Sequence, residues 1–385
     1  MLFSLTDEQR LIQSSALDWL SHHYDFRQRE TSVHRDGGSP AVWATFAEMG
    51  WLGLALSEDV GGIEGGLMEK GLLMQALGRH LVVEPFHSCI VQAARLLDLA
   101  GTQAQRQQWL PAVAAGQQRL ALLHHEKGGA LPWGTRSSTA QACETGWILN
   151  GSKATAVGAV GAAQWLVTAT NSEGQTQVFL VNPEQTGVHV DAYGTSDGRQ
   201  AANIYLEQVA VGNDAVLDSA ECSAALEKVL AEGIIAACWE ATGAMQAALE
   251  QTQIYTQQRK QFGQAIASFQ VVQHRLAEMA VQCAEAQAAC EFATMRLERK
   301  NNKLAQQVAA GVKNKVGRAA RFVAHECVQL HGAMGVCEEL PIASTFRLLT
   351  AFAHEGGHAD SHAQWLGGEL ARTGDFAHSQ TLGAF

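Results

Sequence analysis

Proline is scarce, at 6 of 385 residues. Its ring removes an amide donor and clashes with the preceding turn, so scarcity leaves room for long uninterrupted helices. Charge is sparse and lopsided: charged residues make up 17 % of the chain, and 38 acidic against 27 basic side chains give a net charge of −11. A nucleic-acid binder presents a basic face, so that class is disfavoured, and an anionic substrate has to be met by local Arg or Lys. No apolar run approaches the ~20 residues of a membrane span. The first ten residues lack a basic stretch followed by an apolar one, so they do not read as a secretory signal. None of the eight cysteines forms a C-x-x-C. No disulfide framework is implied, a reducing compartment fits, and the chain is read as cytoplasmic, with neither nucleic acid nor membrane as partner. Cys283 and Cys290, seven apart, share a helix face and read as core. No G-x-G-x-x-G follows a strand pattern, which argues against a nicotinamide dinucleotide fold.

What is present is 47 % apolar residues, enough for an extensive core. Residues 1–118 read as a helical domain. Thr6 to Gln9 form a capping-box start, and Leu11, Ile12, Ala16 and Leu20 follow at helical spacing. Residues 119–218 read as a small antiparallel β domain. Runs at 120–123, 147–149, 165–169, 178–181, 188–190 and 203–206 are rich in β-formers and separated by Gly, Asn, Asp and Ser. Helical periodicity returns over 219–385. Three stripes, from Leu230 to Thr252, Val272 to Cys290 and Val308 to Val323, predict helices of ~25–35 residues packed as a bundle.

Two stretches of the last region carry the most information. Residues 255–274 hold Tyr255, Arg259, Gln261, Phe262, Gly263 and Gln270, and residues 329–335 read Gln-Leu-His-Gly-Ala-Met-Gly. A guanidinium fork suits a pyrophosphate, and glycines let backbone amides approach one. The first stretch resembles the Y…R-x-x-F-G…Q segment of acyl-CoA dehydrogenases and the second their Q-x-x-G-G-x-G turn. The order helical domain, β domain, helical bundle resembles that family over nearly the whole chain. The resemblance implies FAD as cofactor, gripped across a subunit interface, so the chain is expected to be a dimer or tetramer. Arg259 and Gln261 would meet the pyrophosphate, Phe262 and Gln270 the adenosine side, and Gln329, Gly332 and Gly335 the phosphate turn. Ala333 stands where the family has a glycine.

In the middle region Asn150, Gly151 and Lys153 keep the family pattern. The flavin-ring positions carry His125, Thr155 and Val157 in place of the family's residues. The family base, a glutamate that removes the α-proton of an acyl-CoA as the β-hydride goes to flavin, aligns with Gly356. Glu355 lies one residue before it and would serve if the local turn were rotated by ~100°. Glu240, on the flank of the apolar stripe of the first long helix, is the second candidate; Glu232 on the same helix points away from that stripe, and the plain reading of both is a solvent face. The third alternative is a base supplied by another subunit. Ile234 stands where the family has an arginine that contacts acyl-CoA. Such departures, with stretches such as 76–85 and Trp109-Leu-Pro111, resemble the small subunits of bacterial α2β2 acyl-CoA dehydrogenases acting on sterol side chains or dicarboxylic acyl chains. The implied activity is FAD-dependent α,β-dehydrogenation of an acyl-CoA, with an electron-transfer flavoprotein as acceptor. A non-catalytic subunit completing another chain's FAD site is the alternative. A zinc hydrolase reading rests on His354-Glu355-Gly356-Gly357-His358, which spells H-E-x-x-H. It needs one continuous helix, and adjacent glycines cost roughly 2 kcal/mol of helix propensity.

Overall fold

The computed structural model describes residues 4–33, 38–134, 136–217, 219–298 (side chains from Cys222) and 304–373. The chain opens on α1 (Asp7–His23). Its Thr6 hydroxyl accepts from the Gln9 amide, and the Gln9 side chain accepts from the Thr6 amide, as the capping box predicts. Next come α2 (Phe26–Val33), α3 (Pro40–Glu48) and α4 (Leu67–Arg79). A π-helix, His87–Ala94, runs directly into α5 (Arg95–Ala100), and α6 (Gln103–Ala114) closes the first helical layer.

The sheet contains β1 (Leu120–Leu123), β2 (Thr139–Cys143), β3 (Gly146–Val157), β4 (Gln164–Thr170), β5 (Thr176–Val181), β6 (Val188–Gly194) and β7 (Gln200–Gly212). Its order is β1-β4-β2-β3-β7-β6, with β5 on β4. Most pairings are antiparallel, but β1 runs parallel to β4 over Leu120 to Leu123, and β2 touches β4 in parallel at Thr139. The sheet is therefore mixed, not purely antiparallel. The chain reverses once from β2 to β3 and again from β3 to β4, so β4 runs in the direction of β2 and β1. Between Lys153 and Ala156 the β3–β7 register shifts, and Thr155 there has φ +50°. Such a bulge re-aims the side chains around it.

The last layer contains α7 (Ser219–Gln258), a hairpin of β8 (Lys260–Gln261) and β9 (Gln264–Ala265), then α8 (Gln270–Glu298), α9 (Ala305–His331), α10 (Pro341–Phe352) and α11 (Ala359–Thr373). α7 runs 40 residues, longer than its stripe predicts. Every residue from Val229 to Met245 is buried. A helix covered on all sides has no solvent face, so Glu232 and Glu240 are both interior, against the solvent face that the sequence suggests for each. The Lys70 ammonium, itself buried, meets Glu232 Oε2 at 2.7 Å.

Glycine brings α4 and α7 together. A Cβ on Gly78 would come within 2.0 Å of the Glu240 carbonyl oxygen, and one on Gly243 within 1.9 Å of that of Gln75. Only the missing side chains permit this approach, which fixes where Glu240 stands. One hydrophobic core joins the first and last helical layers, and a second fills the sheet.

Candidate active site

A cavity of about 470 Å³ opens between sheet and helices. Its strand wall carries His125 from the end of β1, Thr155 and Val157 from β3, and the β6–β7 turn with Asp197 and Arg199. Its helix wall carries His87, Ser88 and Gln92 from the π-helix, Leu230 from α7, and the α10–α11 connection with His354, Glu355 and Gly356. The three residues expected at the flavin ring thus share one cavity with Glu355.

The floor is a charge network centred on Arg199. Its Nε donates to Asp197 Oδ2 at 2.7 Å, and its Nη2 lies 2.6 Å from the same carboxylate. Nη2 also donates to Glu355 Oε2 at 3.3 Å, while Nη1 stands 3.6 Å from Glu240 Oε2. Both candidate carboxylates therefore converge on one guanidinium, a residue that sequence reasoning missed. Thr195-Ser-Asp-Gly-Arg199 reads as an exposed turn, and nothing local shows that the turn folds inward.

The two carboxyls differ in environment. Burial pushes Glu355 up, but Arg199, His87 and Lys313 outweigh it and hold it below the ordinary range. Its side chain keeps 24 % of its surface open, and His87 Nδ1 lies 3.4 Å from Oε1. For Glu240, burial dominates. Arg199 opposes it, Glu355 and Asp197 add to it, and the carboxyl rises to about 7. The raised value sets a sign. Between the unfolded carboxylate range and pH ~7, folding keeps Glu240 protonated while the unfolded chain releases the proton, so Glu240 costs stability as pH rises. Glu240→Gln is expected to raise the denaturant midpoint at pH 8 and leave it nearly unchanged at pH 5. Equal midpoints for variant and wild type at pH 8 would show that Glu240 titrates normally.

The strand wall has its own anchor. Lys153 Nζ donates to Glu126 Oε1 at 2.6 Å, and Glu126 also accepts from the backbone amides of Ser137 and Ser138. Burial works against ionising this carboxyl, but the ammonium and the amides outweigh it and hold it at about 2. The pair ties the segment after β1 to β3.

The expected pyrophosphate residues lie elsewhere. Tyr255 follows Glu240 by 15 residues on α7, about 22 Å at the helical rise. Phe262 and Gly263 have φ +54° and +82°, the pattern of a tight hairpin turn, and Phe262 is 91 % exposed. Tyr255 joins this hairpin to the turn after α9. Its hydroxyl donates to the His331 carbonyl at 3.2 Å and its ring stacks on that of His331 at 4.4 Å. Gly335 is buried, and a Cβ there would meet the Val328 carbonyl at 2.7 Å, whereas one on Gly332 would meet nothing. Arg259, Gln270 and Gln329 are exposed, and among the described residues their side chains have no hydrogen-bond or ion-pair partner. Arg259, Gln261, Phe262, Gln270, Gln329, Gly332 and Gly335 thus gather at one end of the bundle, away from the chain's own cavity.

The H-E-x-x-H segment is not a zincin helix. α10 ends at Phe352, α11 begins at Ala359, and Gly356 and Gly357 between them have φ +65° and +101°. His362 Nε2 is occupied by the Gly356 carbonyl at 2.8 Å. Among the described residues, no three His, Cys, Asp or Glu side chains are placed to hold a metal, and no helix is long and apolar enough to cross a membrane.

Residues 6–117 match the acyl-CoA dehydrogenase N-terminal domain and residues 223–368 the acyl-CoA dehydrogenase C-terminal domain. The chain belongs to the acyl-CoA dehydrogenase family. This is a family of FAD-dependent oxidoreductases, and its fold is the helix, sheet, helix order described above. The chain is 27 % identical to the mouse long-chain specific acyl-CoA dehydrogenase, covering 85 % of this chain and 77 % of that one. It is 29 % identical to acyl-CoA dehydrogenase FadE28 of Mycobacterium tuberculosis, covering 86 % and 93 %. Among solved structures it is similar to a variant of the Tcur3481–Tcur3483 steroid ACAD, with TM-score 0.87 and 27 % identity over 96 % of this chain and 99 % of that one.

Proposed function

We propose that this chain carries out FAD-dependent α,β-dehydrogenation of an acyl-CoA thioester as one subunit of a heteromeric acyl-CoA dehydrogenase acting on a bulky acyl chain, with an electron-transfer flavoprotein as acceptor. The observation that carries the reading is Glu355. Its carboxylate opens into the cavity from the helix wall, opposite Thr155 and Val157. A flavin ring against the strand wall leaves the acyl group against the helix wall, between ring and carboxylate.

The residues fit the cofactor. The chemistry FAD supplies is acceptance of the β-hydride. His125, Thr155 and Val157 would hold its ring. The exposed Arg259, Gln261, Phe262 and Gln270, with Gln329 and the Gly332–Gly335 turn, would hold the pyrophosphate and adenosine of a neighbouring subunit's FAD. That division supports an oligomer, because one chain has half of each site. Arg199 and His87 orient Glu355, which takes the α-proton on its carboxylate oxygen. A closing substrate dries the site and raises the carboxyl toward a base-like value. The heteromeric part rests on the likeness to a two-component steroid ACAD.

One observation favours a second reading, a non-catalytic subunit. Gly356 stands at the family's base position, and Glu355 is already paired to Arg199. Visible absorption and light scattering of the chain purified alone and with an unlike acyl-CoA dehydrogenase subunit test the assembly. A flavin-loaded heteromer is the expected result. A flavin-loaded, active homotetramer sinks the heteromeric part, and a stable flavin-loaded monomer sinks the shared-site part.

A further inference from the structure

The helix wall of the cavity is polar on the side where the acyl group lies. Gln92 projects from the π-helix, a rare geometry that recurs at functional sites. It fits a notch that α7 opens at Gly233, where a Cβ would come within 2.7 Å of Gln92 Nε2. The Gly233 carbonyl is already taken by His87 Nε2 at 2.8 Å. Gln92 is half-buried and lines the cavity, and among the described residues its carboxamide has no hydrogen-bond partner. His354 on the same wall is exposed, so its imidazole stays in water when the cavity fills.

In an open cavity water satisfies the Gln92 carboxamide. A plain alkyl chain that displaces the water from Gln92 leaves its amide unpaired, at the cost of a desolvated polar group. An acyl group with an oxygen at the right depth replaces the water's hydrogen bonds. Sites of this kind discriminate strongly against analogues that lack the oxygen.

We infer that Gln92 is a specificity-determining residue and that the acyl group taken by this cavity bears a hydroxyl or keto oxygen, which the Gln92 carboxamide pairs with from the helix wall. The inference rests on the acyl-CoA reading above and adds the substrate class to it.

The test is calorimetric titration of the flavin-loaded protein, with its partner subunit where one is needed. The probes are decanoyl-CoA and a series of hydroxydecanoyl-CoA isomers whose hydroxyl moves stepwise from carbon five to carbon ten. At least one isomer is expected to bind about tenfold more tightly than decanoyl-CoA. Gln92→Met, unbranched and of similar length, is expected to shrink the gap to about threefold or less, mainly by tightening decanoyl-CoA. Gln92→Leu is the second variant, and either one, once folded, decides the matter. Equal binding of plain and hydroxylated chains, or a preference that survives in either folded variant, overturns the inference and leaves the acyl-CoA reading standing. If no acyl-CoA binds at all, that reading fails and the inference falls with it.

Discussion

Arg199→Met is expected to destabilise the protein by about 3–5 kcal/mol, the cost of leaving buried carboxylates without their shared partner. Asp197 is 2 % exposed at its side chain and Glu240 7 %, so neither can turn to water without moving the β6–β7 turn or α7. The loss should depend on pH with a definite sign. For Asp197, burial works against ionisation but Arg199 and Thr195 outweigh it, and its carboxyl, like that of Glu355, is held below the ordinary range. The stability such groups contribute is complete above the unfolded carboxylate range and disappears as pH falls through their native values. The gap between variant and wild type is therefore widest near pH ~7 and narrows toward pH ~4 and below. Denaturant midpoints across that range check it. A gap that stays constant with pH would mean that Arg199 acts through packing alone.

The second large effect is on the cofactor. Arg259→Ala is expected to weaken FAD binding about 10- to 100-fold, the range of a lost charge-assisted hydrogen bond, with the melting curve of the chain itself unchanged. The guanidinium is exposed at the bundle end and has no hydrogen-bond or ion-pair partner among the described residues. Flavin fluorescence released on dilution measures occupancy. Full occupancy in the variant would remove Arg259 from the site.

Much of the fold is legible in periodicity. The stripe from Val272 to Cys290 lies on the buried face of α8, and Val312, Val316, Ala319 and Val323 on that of α9. In the large sheet the unanticipated strand is β2, which reads Thr-Ala-Gln-Ala-Cys with only Ala140 buried, so it carries almost no apolar signal. Its position is set by pairing with β3, a tertiary effect. The parallel β1–β4 contact likewise depends on chain path, which periodicity does not encode. The Arg259 and Gln329 segments are legible because their residue types and spacing resemble the family's motifs, and the fold brings the two stretches together at one end of the bundle. Glu232 and Glu240 read as solvent-facing on a helical wheel because the wheel assumes a solvent face that α7 lacks. Arg199 was invisible for a related reason. Its importance comes from Asp197, Glu355 and Glu240 arriving from three separate elements, and no window of sequence contains that meeting.

The most direct test is reduction of the bound flavin by acyl-CoA in Glu355→Gln and Glu240→Gln, prepared separately as flavin-loaded protein with the partner subunit present. Glu355→Gln is expected to keep its FAD but to bleach roughly 10²- to 10⁴-fold more slowly, the usual contribution of a general base. Glu240→Gln should keep both FAD and reduction. If both variants bleach at the wild-type rate, the base is not in this chain, and its cavity holds a counter-charge network for a site completed elsewhere.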